Sequence, residues 1–259
     1  MHLRERERVP GMAPERADLI AGGAALLGWV IERTRPARVV VSGAGLREGL
    51  FFAHLLREQA EPLLPDVLEG SAQNIERLHG LGAARAGRLH GLAAALWGHL
   101  GPLTGAPEAA ARLVPLAARL RDVGTAISYY AWEGHTFYLL REARLYGLDH
   151  RERLLLAAAA GYDGAGRLRE TLAPYASLLA PGDERLAVRM GVTAALASAI
   201  DRACRGGALP LEVAAVPSAV RIRTAVPPAD GLLAPADLAE DFRKAFGRAL
   251  GSDAALTES

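Results

Sequence analysis

The chain has 259 residues, 51% of them apolar, which excludes a disordered tail and leaves enough chain to bury a sizeable core. Its formal net charge of +1 gives no long-range field to draw the whole molecule to nucleic acid or an acidic membrane, so any anion site must be local. One cysteine, Cys204, excludes a disulfide framework and a cysteine-based zinc site, and Lys244 is the only lysine in an inventory of 30 basic residues that is otherwise arginine.

The opening MHLRERERVP is charged but lacks the apolar core of a signal peptide, and the longest apolar runs are too short to span a bilayer. The expectation is a cytoplasmic protein with no membrane association and no specific nucleic-acid partner. From Pro14 to about Arg33 the periodicity predicts a helix, with Pro14 at the first helical position, acids near the positive dipole end, and Gly22 and Gly23 inside it. Arg38 to Ser42 (RVVVS) is β-branched, bounded by Pro36 and Gly43, and predicts a strand. A second helix follows from Leu46 to about Gln59. A lone strand is not a sheet, so either another chain supplies its partners or this fragment packs irregularly.

Helical periodicity dominates from Leu64 to Arg205, broken near Gly80, residues 101–107, Gly124, Gly147, residues 161–166 and residues 181–182, which predicts about seven helices in a bundle. Residues 209–225 predict a short hairpin turning at Pro217 and Ser218. A closing helix is expected over 235–250, with Leu238, Phe242, Ala245, Phe246 and Leu250 on one stripe. The fold class is therefore mainly α, a small α/β fragment followed by a helical domain, with the domains at 1–60 and 61–259.

Two stretches in the first part carry a resemblance. VPGMAPERADLIAGGAALL (residues 9–27) followed by VVVSGAGLREGLF (residues 39–51) resembles the end of the second actin-like domain of the Ppx/GppA phosphatases: a proline-glycine turn, an arginine-led helix with a small-residue core, a strand, and a Gly-Leu-Arg-Glu-Gly loop. Residues 120–163, LRDVGTAISYYAWEGHTFYLLREARLYGLDHRERLLLAAAAGYD, resemble the HD-like helical domain that follows in longer members. The resemblance implies an exopolyphosphatase or guanosine pentaphosphate phosphatase, a phosphoric anhydride hydrolase acting on polyphosphate or a phosphorylated guanosine nucleotide. It also implies a homodimer, and Mg in a complete enzyme.

By the same resemblance Arg16, Gly22, Gly23 and Arg47 are phosphate-binding positions, since glycines admit backbone amides to anionic oxygens and guanidinium forks fit phosphate. Competing readings are a salt bridge of Arg16 to Asp18 or a neighbouring acid, an Arg47–Glu48 pair or buried helix cap at Arg47, and helix packing at the glycines. The family's Asp-Gly-Ser phosphate loop and catalytic glutamate have no counterpart in these residues, so no catalytic residue is assigned and hydrolysis is expected to need a polypeptide carrying the amino-terminal half. In the HD-like region the family's ligand positions fall at Arg85, Arg121, Asp122, His135 and Asp163. Two surviving donors among arginines do not hold a divalent metal, and a salt bridge among Arg121, Asp122 and Asp163 is the expected replacement. Two alternatives stand beside the hydrolase component. One is a non-catalytic binding or dimerisation module with Arg112, Arg119, Arg121, Arg85 and Arg88 forming a groove for an anionic chain; the other is an autonomous HD-type metal phosphohydrolase.

Overall fold

The computed structural model describes residues 2–61 and 63–252, and the chain divides into two compact units, 1–63 and 64–259. Among the described residues no helix is long and apolar enough to cross a membrane.

The first unit holds α1 (Leu3–Arg6), a 3-10 turn (Pro14–Arg16), α2 (Ile20–Thr34) and α3 (Leu46–Leu55). The single helix expected from Pro14 is broken, because Asp18 accepts a hydrogen bond from the Leu19 N–H at 2.8 Å and so offers the backbone a local alternative to the helix. Arg35 ends α2 in the left-handed region at φ 43°. The strand expected at 38–42 does not form: these residues pair with no strand among those described, and Val41 is 93% exposed. Extended backbone without a neighbour leaves its N–H and C=O groups to solvent, so β-branching alone does not produce a strand. Neither α2 nor α3 buries any residue.

The second unit is a helical bundle. Its helices are α4 (Val67–Leu78), α5 (Ala83–Leu100), α6 (Ala109–Arg119), α7 (Trp132–Glu142), α8 (His150–Ala160), α9 (Ala165–Leu172) and α10 (Asp183–Ala203), with a 3-10 segment at Arg121–Ala126 between α6 and α7. The starts follow from local chemistry. Asp66 caps α4 by accepting from the Leu68 and Glu69 amides at 2.9 and 3.0 Å, and Asp149 with Glu152 forms a reciprocal capping box on α8.

α5 shows an apolar stripe at Leu89, Leu92, Ala93, Leu96, Trp97 and Leu100, all buried. α8 from Leu154 to Ala160 and α10 over most of its length are buried on every side, which makes them the axis around which α5, α6, α7 and α9 pack. The small side chains of α8 and α10 allow that close approach: at Gly191 an added Cβ would lie 2.5 Å from Tyr162 Cδ2.

β1 (Leu211–Ala215) and β2 (Ala219–Thr224) form the antiparallel hairpin, with Val213 opposite Ile222. α11 (Ala236–Phe246) buries Phe242 and Phe246 and packs on α10. The closing helix expected to reach residue 250 stops at Phe246, where Gly247 turns left-handed at φ 66°, and β3 (Ala249–Ser252) then pairs parallel to β2 with Leu250 opposite Val220. Leu250 satisfied a helical spacing, yet a β2 edge with unpaired backbone groups offers more hydrogen bonds than one further helical turn.

At the first turn of α10, Asp183 is 2% exposed and accepts from Arg151 Nε at 2.6 Å and from the Ala180 amide at 2.7 Å. Burial works against its charge, but the Arg151 fork and the Ala180 amide outweigh it and hold the carboxyl below its ordinary value. A depressed folded-state value contributes stability that is complete above the unfolded value of about 3.9 and is lost as pH falls through the folded one. Asp183→Asn is therefore expected to cost about 2 kcal/mol at pH 7, reduced from the buried-pair range because Arg151 is partly in water. In urea unfolding at pH 7 and pH 3, the gap between parent and variant should shrink at pH 3; a gap equal at both values would contradict this account.

Candidate functional site

The HD-like positions lie where α5, the 3-10 segment, α7 and the end of α8 meet. Arg121 enters the core at 7% exposure; its Nη1 donates to the Ala160 carbonyl at 3.0 Å and its Nη2 to the Tyr162 carbonyl at 2.8 Å, capping the end of α8. The guanidinium stacks on Trp132 at 4.9 Å. Burial pulls its pKa down to about 10, with Glu133 opposing, so the group is still a cation at neutral pH. Thr136 ties the crossing together: its hydroxyl accepts from the Gly124 N–H at 2.9 Å and donates to the Arg121 carbonyl at 2.8 Å.

Asp122, the neighbouring residue, points elsewhere and pairs with Arg85 on α5. Arg85 also reaches Asp201 of α10 at 3.4 Å, and Asp201 accepts from Arg88 Nε at 2.7 Å. Asp201 is 4% exposed, and its hydrogen bond raises the pKa of Arg88. Ser198, one turn earlier on α10, accepts from Arg202 at 3.0 Å and Arg85 at 3.3 Å. The space beside Arg85 and Asp122 is about 30 Å³, room for little more than one water.

The expected salt bridge among Arg121, Asp122 and Asp163 is thus replaced by three separate arrangements. Arg121 holds carbonyls, Asp122 holds Arg85, and Asp163 pairs with Arg167 one helical turn away. Adjacent residues 121 and 122 face different ways, so one cannot share the other's partner. His135 stands half-buried on α7, and no hydrogen bond or ion pair joins it to Asp122 among the described residues. Asp163 and Glu133 share a pocket of about 200 Å³ with Arg167, two carboxylates of which one already holds a cation. Among the described residues no group of three His, Cys, Asp or Glu side chains could hold a metal ion. Mg needs several oxygen donors in an octahedron, and guanidinium groups at residues 85 and 121 offer none, so these residues do not fit the ion.

The arginine groove expected from residues 85, 88, 112, 119 and 121 does not form either. Arg119 is enclosed between Glu69 and Glu76, which raise its pKa, while Arg112 reaches Glu152 at 3.5 Å. Arg121 faces the core, and Arg85 and Arg88 are spent on Asp122 and Asp201. Asp201, Ser198 and Arg202 were not anticipated as part of this site; the available signal was charged residues at the end of an otherwise apolar α10.

In the first unit Arg16 lies in the 3-10 turn and Arg47 on α3, both exposed. Asp18 is occupied by the Leu19 amide rather than by Arg16, and Glu48 accepts from the Gly45 N–H at 2.8 Å. Gly22 and Gly23 are exposed on α2, and an added Cβ would meet no atom within 4 Å at either, so helix packing does not account for them.

A mainly α bundle of this kind, closed by a three-stranded sheet and a last helix, defines a helical domain of the HD-like class. The family described as Ppx/GppA phosphatase, domain III, matches residues 67–222, from the start of α4 into β2. The chain belongs to the Ppx/GppA phosphatase family.

Proposed function

We propose that this chain is a component of phosphoric anhydride hydrolysis on inorganic polyphosphate or guanosine pentaphosphate, contributing the helical domain of a cytoplasmic homodimer while a segment outside these residues supplies the general base. The observation that carries this reading is the Arg85–Asp122–Asp201 cluster at the degenerate HD positions. Hydrolysis of an anhydride needs a carboxylate to activate water and cations to neutralise the equatorial oxygens. Here the carboxylates at that place are consumed by guanidinium partners, and Arg121 spends its donors on α8. The work left to the domain is structural: holding the dimer and its anionic substrate in register. Arg16, Gly22, Gly23 and Arg47, all exposed, are the positions offered to phosphate oxygens in this reading.

A polyphosphate hydrolysis assay tests it. The chain alone with Mg is expected to release no phosphate above the uncatalysed background, and addition of a polypeptide carrying the family's amino-terminal half is expected to restore release. Turnover by the isolated chain would overturn the proposal, as would a mixture that binds but stays inactive.

A further inference from the structure

Three helices of the second unit enclose a pocket of about 420 Å³ that none of the preceding positions touches. α10 lines it with Arg185 and Arg189, α11 with Lys244 and Asp241, and α9 with Arg169 and its first two residues, Ala165 and Gly166. That volume lies in the range of small-molecule sites.

The charge balance is one-sided. Arg169 is paired with Glu184 at 2.6 Å and Lys244 with Glu240 at 3.6 Å. Asp241 accepts from the Tyr162 hydroxyl at 2.6 Å, so one of its oxygens is committed away from the basic wall. Arg185 and Arg189 have no carboxylate partner among the described residues, and the one hydrogen bond of the Arg189 side chain goes to the Ala245 carbonyl at 3.1 Å. They stand at i and i+4 on one helix face, where like charges repel. Burial and the Arg185 charge both lower the Arg189 pKa, the direction expected where positive charge is left uncompensated.

The α9 terminus adds donors to the same pocket. Its N-cap is Gly164, at φ 99°, with no side chain to cap the first turn, and that turn holds no acid. Ala165 and Gly166 line the same pocket as the two guanidinium groups, so the uncapped amides and the positive end of the helix dipole border it.

We propose that this pocket is a binding site for a phosphoryl oxyanion, held by the Arg185 and Arg189 forks and by the amides at the start of α9. The site stands independently of whether the chain takes part in hydrolysis. Bidentate guanidinium bonds and helix-terminal amides suit tetrahedral oxyanions.

Isothermal titration of the full chain with inorganic phosphate, tripolyphosphate and GTP tests the assignment. Tripolyphosphate is expected to bind more tightly than inorganic phosphate and to weaken with added salt, with GTP matching it if the triphosphate alone is recognised. Arg185 is exposed, so Arg185→Gln leaves the fold intact and is expected to weaken tripolyphosphate binding about tenfold or more, roughly one charge-assisted contact. The control Arg144→Gln, outside the pocket, should bind within about twofold of the parent. The assignment fails if Arg185→Gln binds like the parent, if Arg144→Gln weakens binding equally, or if GTP binds while tripolyphosphate does not.

Discussion

Replacing Arg121 by alanine is expected to destabilise the helical unit by about 3–5 kcal/mol, the range for removing one member of a buried, fully engaged polar group. The physical reason is the pair of carbonyls at the end of α8. Arg121 is their partner, donating to Ala160 and Tyr162 at 3.0 and 2.8 Å, and both oxygens lie where water does not replace the lost donors. Truncation also removes the face that stacks on Trp132 and opens a cavity. Arg121→Met separates these contributions, because it fills the volume and removes the cost of burying a charge but still orphans the carbonyls; its expected cost is about 1–3 kcal/mol. Arg121→Lys should fall between them, since one ammonium does not span the fork. Urea unfolding of the three variants checks the order, and an alanine variant within about 1 kcal/mol of the parent would show that α8 ends without Arg121's help.

Much of the bundle was legible because its punctuation is local. Gly80, Gly124, Gly147 and the Gly161–Gly166 stretch mark real helix breaks, and Gly80 and Gly147 adopt positive φ there. The hairpin was readable for the same reason, as Pro217 and Ser218 separate two short runs with alternating valine and isoleucine positions. What failed depends on distant partners. Val39 to Val41 have the composition of a strand, but pairing is a property of two segments. β3 was hidden because Leu250 continues the spacing of α11, and only Gly247, a glycine suited to a left-handed C-terminus, signalled the stop.

The contacts of the candidate residues could not be read from their positions in the chain. The partner of Asp122 sits 37 positions earlier, and Asp201, which shares Arg85 with it, lies 79 positions further along the chain. Counting arginines along a sequence likewise says nothing of which carboxylates lie across the groove. Arg119 shows it, since Glu69 and Glu76 on α4, two helices earlier in the chain, convert a charge expected to bind anions into a structural one. The basic pocket between α9, α10 and α11 escaped notice because its two decisive arginines are ordinary helix-surface residues until α11 folds back over them.

Gly124→Ala is expected to cost more than about 3 kcal/mol, beyond ordinary overpacking, because the added methyl meets backbone rather than a yielding side chain. Its Cβ would overlap the Trp132 carbonyl and lie 2.5 Å from the Thr136 amide nitrogen and 2.7 Å from the Thr136 hydroxyl. To make room α7 must move away from the 3-10 segment, which breaks the Gly124 N–H to Thr136 bond and then the Thr136 bond to the Arg121 carbonyl. Gly134 provides the opposite case on the same helix, exposed and with nothing within 4 Å of an added Cβ, so Gly134→Ala should stabilise by about 0.5–1 kcal/mol through helix propensity alone. Because Gly124 and Arg121 secure one crossing, the Gly124→Ala, Arg121→Ala double variant should lose less than the sum of the single losses. Thermal and urea unfolding of the four proteins measures that coupling; strict additivity, or a Gly124→Ala variant as stable as its parent, would mean that α7 does not depend on the close approach that the glycine permits.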